Sequence, residues 1–161
     1  MKRALIAFAL MFAAATPALA QNAGQIARVE AGANCASCDL LQIDLSFQNA
    51  IGRNYSGSRL IQAGMTAGVY DRTNFTGADM AWIDAAAARF TGARFENARL
   101  ENANFVGAYL GGANFTAANL RGANLSGAEL ETARGLTQSQ LNSACGDANT
   151  RLPQGMTIPA C

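Results

Sequence analysis

"ANFTAANLRGANLSGAEL", residues Ala113 to Leu130, is the stretch whose reading decides the fold. Alanine, then a polar residue, then leucine or phenylalanine returns at every fifth residue. A helix brings residues three and four apart onto one face, and a strand alternates every second residue. A five-residue period serves neither, and self-similarity at a fixed period is the mark of a solenoid.

The register extends well beyond the quoted stretch. Large residues fall on positions divisible by five, from Leu60, Met65, Tyr70 and Phe75 to Leu125 and Leu130, and backward through Tyr55 to Leu45 and Leu40. Two residues before each centre the chain is small: Ala63, Gly68, Thr73 and Ala78, then Ala88 through Ala133. Two residues after it glycine is common, as at Gly77, Gly92, Gly107 and Gly127. One repeat inverts this order, with Ile83 large and Ala85 small, so the summed volume is roughly kept. Alanine-rich "AWIDAAAARF" also has helix propensity. A five-residue period drifts around a helix, however, and leaves no apolar stripe.

Over residues 38 to 134, and most tightly from Ala88 onward, this pattern resembles the pentapeptide-repeat family, whose motif is A(D/N)LXX. The resemblance implies an all-β fold, a right-handed quadrilateral parallel β-helix in which four pentapeptides make one coil. Centres twenty residues apart must then stack, and they sort by type. Tyr55, Phe75, Phe95 and Phe115 are all aromatic, while Leu40, Leu60, Met80, Leu100 and Leu120 are aliphatic or thioether. An aromatic file at that spacing suits stacked rings. The three prolines, Pro17, Pro153 and Pro159, lie outside the repeats, where they remove no ladder donor. At strand spacing, four to five coils stack to a rod about 20–25 Å tall.

The chain divides accordingly. "MKRALIAFALMFAAATPALA" has a basic start, an apolar run and a small-x-small end at Ala18-Leu19-Ala20, so residues 1–20 are expected to be a signal peptide. Residues 21–37 form a lead-in, and 38–134 form the β-helix. The β-helix is expected to be regular only from about residue 58, because Gln48 and Arg53 fall on inward positions and an unpaired arginine buried in a narrow tube is costly. Residues 46–57 should therefore bulge. Residues 135–161 make a cap. Within it Thr137 and Gln140 form a capping box that opens a short helix around 138–145, and the closing "TRLPQGMTIPAC" is an extended loop.

The cysteines are Cys35, Cys38, Cys145 and Cys161, an even number in a chain expected to be exported, which suggests disulfides. Pairing neighbours, Cys35–Cys38 and Cys145–Cys161, pins each end of the rod. Two sharper readings compete. The Cys35-x-x-Cys38 spacing fits a redox-active dithiol but lacks its usual βαβ setting. A four-cysteine zinc site needs a second such pair, which is missing.

Composition excludes more than it proves. There is no histidine to act as base or ligand. Lys2 and Arg3 leave with the signal peptide, taking the basic total from 12 to 10 against 11 acids, so the remainder lacks the excess that binds phosphate. Asp39, Arg59, Asp79 and Arg99 alternate along one column, a structural device rather than a catalytic one. No catalytic, cofactor or metal residues are assigned, and no membrane span is expected after signal cleavage. Outward positions carry Ile61, Val69, Trp82, Val106 and Tyr109. Val69, Arg89 and Tyr109 share a column in which Arg89 can stack on Tyr109. With Trp82 they form the candidate interaction surface, since Tyr, Trp and Arg are hot-spot types.

The expectation is a non-enzymatic scaffold or protein-protein interaction module, periplasmic or secreted from a Gram-negative bacterium, with an unknown protein partner. A homo-oligomer is compatible with it, and no nucleic acid or cofactor is expected. Two alternatives stand beside it. One is a periplasmic thiol-disulfide protein using Cys35 and Cys38. The other is the DNA mimicry that protects topoisomerases, which the resemblance brings with it and which needs an acidic face.

Overall fold

A computed structural model describes residues 22–161. The expected signal peptide lies outside the described residues. From Asp39 to Arg134 the chain coils so that residues twenty apart pair in parallel: Asp39 with Arg59, Asp44 with Gly64, Asn49 with Val69, Asn54 with Asn74, and onward to Asn114 with Arg134. These are isolated bridges, one per repeat, rather than extended strands. Four ladders therefore run along the axis, named here for their first residues, Asp39, Asp44, Asn49 and Asn54. The object is a β-helix.

One repeat shows how the sequence builds it. The N–H of the centre Leu60 donates to Asp79 O on the next coil (2.7 Å), and Asp79 N–H donates back to Ser58 O (2.9 Å). The N–H of Ala63 closes a turn onto Leu60 O (3.0 Å), and Gln62, the third residue of that turn, has φ +58°. A positive φ at the third residue is what a type II turn demands. It recurs at every fifth residue from Gln42 to Gly127, which explains why glycine favours that slot. The position also holds Phe47 and Trp82, at φ +60° and +61°.

The centres and the small residues before them fill the shaft. Phe75, Phe90, Phe95, Phe105 and Phe115 are fully buried, as are Ala88, Ala93 and Ala108. The expected aromatic file is present. Phe75 stacks on Phe95 at 5.4 Å and 7°, and Phe95 stacks on Phe115 at 5.1 Å and 14°. Neighbouring files meet edge to face, as Phe90 meets Phe95 at 5.4 Å. The inverted repeat works as volume compensation, with Ile83 and Ala85 both buried. Polar atoms inside are satisfied. Tyr70 Oη donates to Leu45 O (2.6 Å), Thr73 Oγ1 to Ala50 O (2.7 Å) and Ser58 Oγ to Cys35 O (2.6 Å). Burial pushes the Tyr70 phenol well above its usual range, so it stays a donor.

Three expectations are corrected. Residues 46–57 do not bulge: Asn49 and Asn54 bridge Val69 and Asn74 in register. The inward slots of Cys38 and Ile43 are buried, but those of Gln48 and Arg53 face a cleft at the N-terminal mouth, beneath α1, instead of a sealed shaft. Gln48 is exposed there, and half-buried Arg53 lies over Gly32, so no arginine is sealed in the core. The cap helix is shorter than 138–145. It is α2, Gln138–Asn142, because Ser143 O and Cys145 return to the ladder, taking Gly122 N–H (2.7 Å) and bridging Asn124. Part of the closing loop also rejoins it, with Arg151 bridging Glu129 and Ala160 bridging Gly146.

Both ends are closed. The sequence did not signal the N-terminal helix, α1, Ala23–Glu30, which buries Val29 against the first coil. Gln25 Oε1 accepts Asp39 N–H (2.7 Å) and Asn34 Oδ1 accepts Asn54 N–H (2.9 Å), supplying acceptors that a coil below would provide. At the other end the capping box of Thr137 and Gln140 is formed. Gln140 Nε2 also reaches Phe115 O and Ala118 O (2.9 and 2.8 Å), and Leu141 is fully buried.

Two substitution pairs test this account. A Cβ on Gly77, at φ +65°, would meet nothing within 4 Å, so Gly77→Ala should cost about 1 kcal/mol by backbone strain alone. Phe47→Gly, at the same turn position, should leave the denaturation midpoint unchanged or higher. A Cβ on Gly68 would lie 2.5 Å from the Tyr70 ring, so Gly68→Ala should destabilise by roughly 1–3 kcal/mol through overpacking. Adding Tyr70→Leu should recover part of that loss in a double-mutant cycle by denaturant melting.

Candidate functional site

A shaft filled by side chains leaves little interior for chemistry. The cleft at its N-terminal mouth, lined by Val29, Gly32, Gln48, Arg53 and Tyr55 among others, has a volume of about 20 Å³, room for a water rather than a metabolite. No group of three or more metal-binding side chains occurs among the described residues. No described helix is long and apolar enough to cross a membrane.

The sulfurs are joined, Cys35 to Cys38 and Cys145 to Cys161. The first pair sits at the start of the coil and is buried, Cys35 at 2% and Cys38 at 7% exposure. A partner thiolate has little access to either sulfur, whereas exchange requires direct attack on one of them. The second pair ties the exposed C-terminal residue across the capped end.

What remains is the outer surface, and it is patterned. On the Asp39 ladder Arg59 donates twice to Asp39 (2.9 and 2.6 Å), and Arg99 reaches both Asp79 (2.8 Å) and Glu101 (2.9 Å). The Arg59 guanidinium holds the Asp39 carboxyl below the usual carboxylate range. On the Asn54 ladder and its turns Glu96 accepts from Thr76 (3.2 Å), Arg94 (3.3 Å) and Asn114 (2.9 Å). Exposed pairs of this kind contribute little stability each, but they leave those surfaces internally neutralised.

The four residues singled out from sequence do not form one surface. Val69, Arg89 and Tyr109 are consecutive bridge partners on the Asn49 ladder. Trp82 lies on the turn between the Asp39 and Asp44 ladders, with the whole Asp44 ladder in between. The expected stacking of Arg89 on Tyr109 is also replaced. The guanidinium turns to Asp71, Nη2 to Oδ2 at 2.7 Å, because a carboxylate is a stronger partner than a ring face at the surface. Trp82 and Tyr109 are exposed at 60% and 48%. Sequence reasoning missed Phe47, at 79% the most exposed large apolar side chain among the described residues, and Ile51. The signal for both was the unbroken register, which places residues 46–47 and 51–52 on turns.

The family model described as "Pentapeptide repeats (8 copies)" matches residues 98–134. The chain belongs to the pentapeptide-repeat family, whose members commonly act in protein-protein interactions and are generally non-enzymatic. Among solved structures, a pentapeptide repeat protein from the cyanobacterium Cyanothece 51142 is 23% identical, with 80% of this chain and 97% of that one covered and a TM-score of 0.44. One from the Arabidopsis thaliana thylakoid lumen is 31% identical over 57% of this chain and 68% of that one, with a TM-score of 0.37. QnrB1, a plasmid-mediated fluoroquinolone resistance protein, is 19% identical over 76% and 78%, with a TM-score of 0.40. No curated protein matches the chain.

The Cys145–Cys161 bridge closes a loop of sequence separation 16 and the Cys35–Cys38 bridge one of 3. Replacing Cys145 and Cys161 by serine should therefore lower stability by about 3 kcal/mol through loop closure, and replacing Cys35 and Cys38 should remove less loop-closure stabilisation, in denaturant melts.

Proposed function

We propose that this protein is an exported, non-enzymatic scaffold or protein-protein interaction module. In this reading residues 1–20 direct export to the periplasm or beyond, and the working part is a right-handed quadrilateral coil of four to five turns presenting flat sides. The observation that carries the reading is the filled, doubly capped shaft. The described charged side chains stand outside its sealed part and the buried hydroxyls of Ser58, Tyr70 and Thr73 are each spent on a backbone carbonyl, so function is read from a rigid surface. Pairing along twenty-residue ladders fixes outward residues at regular intervals of about 4.8 Å along each side, which suits recognition of another protein's surface.

The alternatives fit less well. Thiol exchange at Cys35 and Cys38 is opposed by the burial of both. DNA mimicry calls for charge density near that of a duplex, about one negative charge per 1.7 Å. Here most carboxylates are already paired to arginine: Asp39, Asp71, Asp79, Glu96, Glu101 and Glu131.

The test is photo-crosslinking in the producing cell, with a photoreactive residue placed in turn on one outward position of each ladder. A discrete adduct from one or two ladders and none from the others is expected. Silence from all four, or equal labelling from all four, would overturn the module reading.

A further inference from the structure

The Asp44 ladder differs from the other three. Its outward residues are Asp44, Gly64, Asp84, Asn104 and Asn124. Neither carboxylate has a cationic partner among the described residues. Asp44 Oδ1 accepts Ser46 N–H (2.9 Å), and Asp84 Oδ1 accepts from Asn104 Nδ2 (2.9 Å) and Ala86 N–H (3.3 Å). The ladder carries no arginine, and its flanking turns carry none before Arg121, which is committed to Glu101 (2.8 Å). The arginines of the Asp39 ladder are likewise committed to Asp39, Asp79 and Glu101. Asp44 and Asp84 thus put two unpaired negative charges on one ladder; Glu30, Glu129 and Asp147 are the other described side-chain carboxylates outside an ion pair, and no other ladder carries two.

The same side carries the two most exposed aromatic residues among those described. Trp82 stands on the turn before the Asp44 ladder and Phe47 on the turn after it. Both occupy left-handed positions where glycine is unstrained, so each adds backbone strain to the cost of exposing a large ring to water. Neither cost assists the coil. Between them Gly64 provides no side chain. Its Cβ would lie 3.1 Å from Asp44 Oδ1, so the Asp44 carboxylate leans over the glycine toward the coil of Asp84. Asp44 and Asp84 stand two coils apart, about 10 Å. Half-buried Ile61 beside Trp82 and exposed Val106 beyond Phe47's turn extend the apolar margins.

We propose that this side is a docking surface for a basic, extended segment of a partner protein. The inference rests on the interaction-module reading and deepens it. Arginine side chains of the segment pair with Asp44 and Asp84, while their guanidinium planes or stems cover Trp82 and Phe47. Charge complementarity selects the occupant. A second copy of the chain is disfavoured because the side would face its own carboxylates, and a nucleic acid is disfavoured for the same reason.

Trp82 is the only tryptophan, so its emission reports on the side directly. The experiment titrates the disulfide-bonded protein with a synthetic peptide alternating arginine and threonine, and with the same peptide carrying glutamate for arginine. Expected is a saturable shift in Trp82 emission with the basic peptide alone, weakening as salt rises. Asp44→Asn combined with Asp84→Asn should reduce affinity about tenfold. Phe47→Gly should also weaken binding while the melting midpoint holds or rises, which separates docking from folding. No saturable response, an equal response to the acidic peptide, or unchanged affinity in the Asp44/Asp84 variant overturns the proposal. So does concentration-dependent dimerisation that Phe47→Gly abolishes. If the peptide fails while cell crosslinks arise from another ladder, this side is wrong and the module reading stands.

Discussion

The structure depends on one constraint: every fifth residue must turn the chain through a left-handed conformation while the residue two before it points into a shaft with room for one large side chain and little else. The turn sets the period, and the period stacks residue i on residue i+20. The stack then aligns backbone donors with acceptors on the next coil. Hydrogen bonding and packing are therefore not separate contributions here. Leu60 fills the shaft, and its N–H is held by Asp79 O because the same register places both. A lost register of one residue would turn Leu60 outward and unpair its coil together.

That coupling explains how the polar residues near the N-terminal mouth are accommodated. Thr73 and Ser58 replace alanine in inward slots, and Tyr70 replaces leucine or phenylalanine at a centre. Each hydroxyl finds a carbonyl of the coil below. Gly68 is smaller than the usual alanine because the Tyr70 ring occupies the space a methyl would take. At the two ends, where no further coil exists, side-chain amides stand in for backbone. Gln25 and Asn34 accept from the first coil, and Gln140 donates to the last. Closing both ends in this way removes the open edges through which repeat proteins otherwise associate.

The repeat was legible because each position has one job. Alanine two before a large residue, recurring in fives, has no other economical reading, and the all-aromatic file at twenty-residue spacing tests it independently. The first coil was harder. Register puts Arg53 in an inward slot, which is forbidden only where the interior is closed; at the mouth that slot faces a cleft beneath α1. The helix α1 carries no repeat signal and little capping chemistry beyond Asn22, so its docking under the tube is a tertiary effect. The outward pattern was only half legible. Register alone places Val69, Arg89 and Tyr109 in one column, but it cannot say that Arg89 prefers Asp71 to a ring. Phe47 lies in the stretch where the sequence predicts a bulge, and only the unbroken register puts it on a turn.

The distribution of arginine gives the surface its direction. Arginines on the Asp39 and Asn49 ladders and on nearby turns close on carboxylates of the same or an adjacent coil, which neutralises them locally. A solenoid selected only to be soluble would gain from the same arrangement on every side. The Asp44 ladder departs from it twice, by leaving Asp44 and Asp84 without a cation and by flanking them with exposed rings at strained turns. Either feature alone is ordinary surface variation. Their coincidence on one side, across coils held in fixed register, is what a rigid recognition surface requires, since the fold holds the charges and the rings at set separations before any partner arrives.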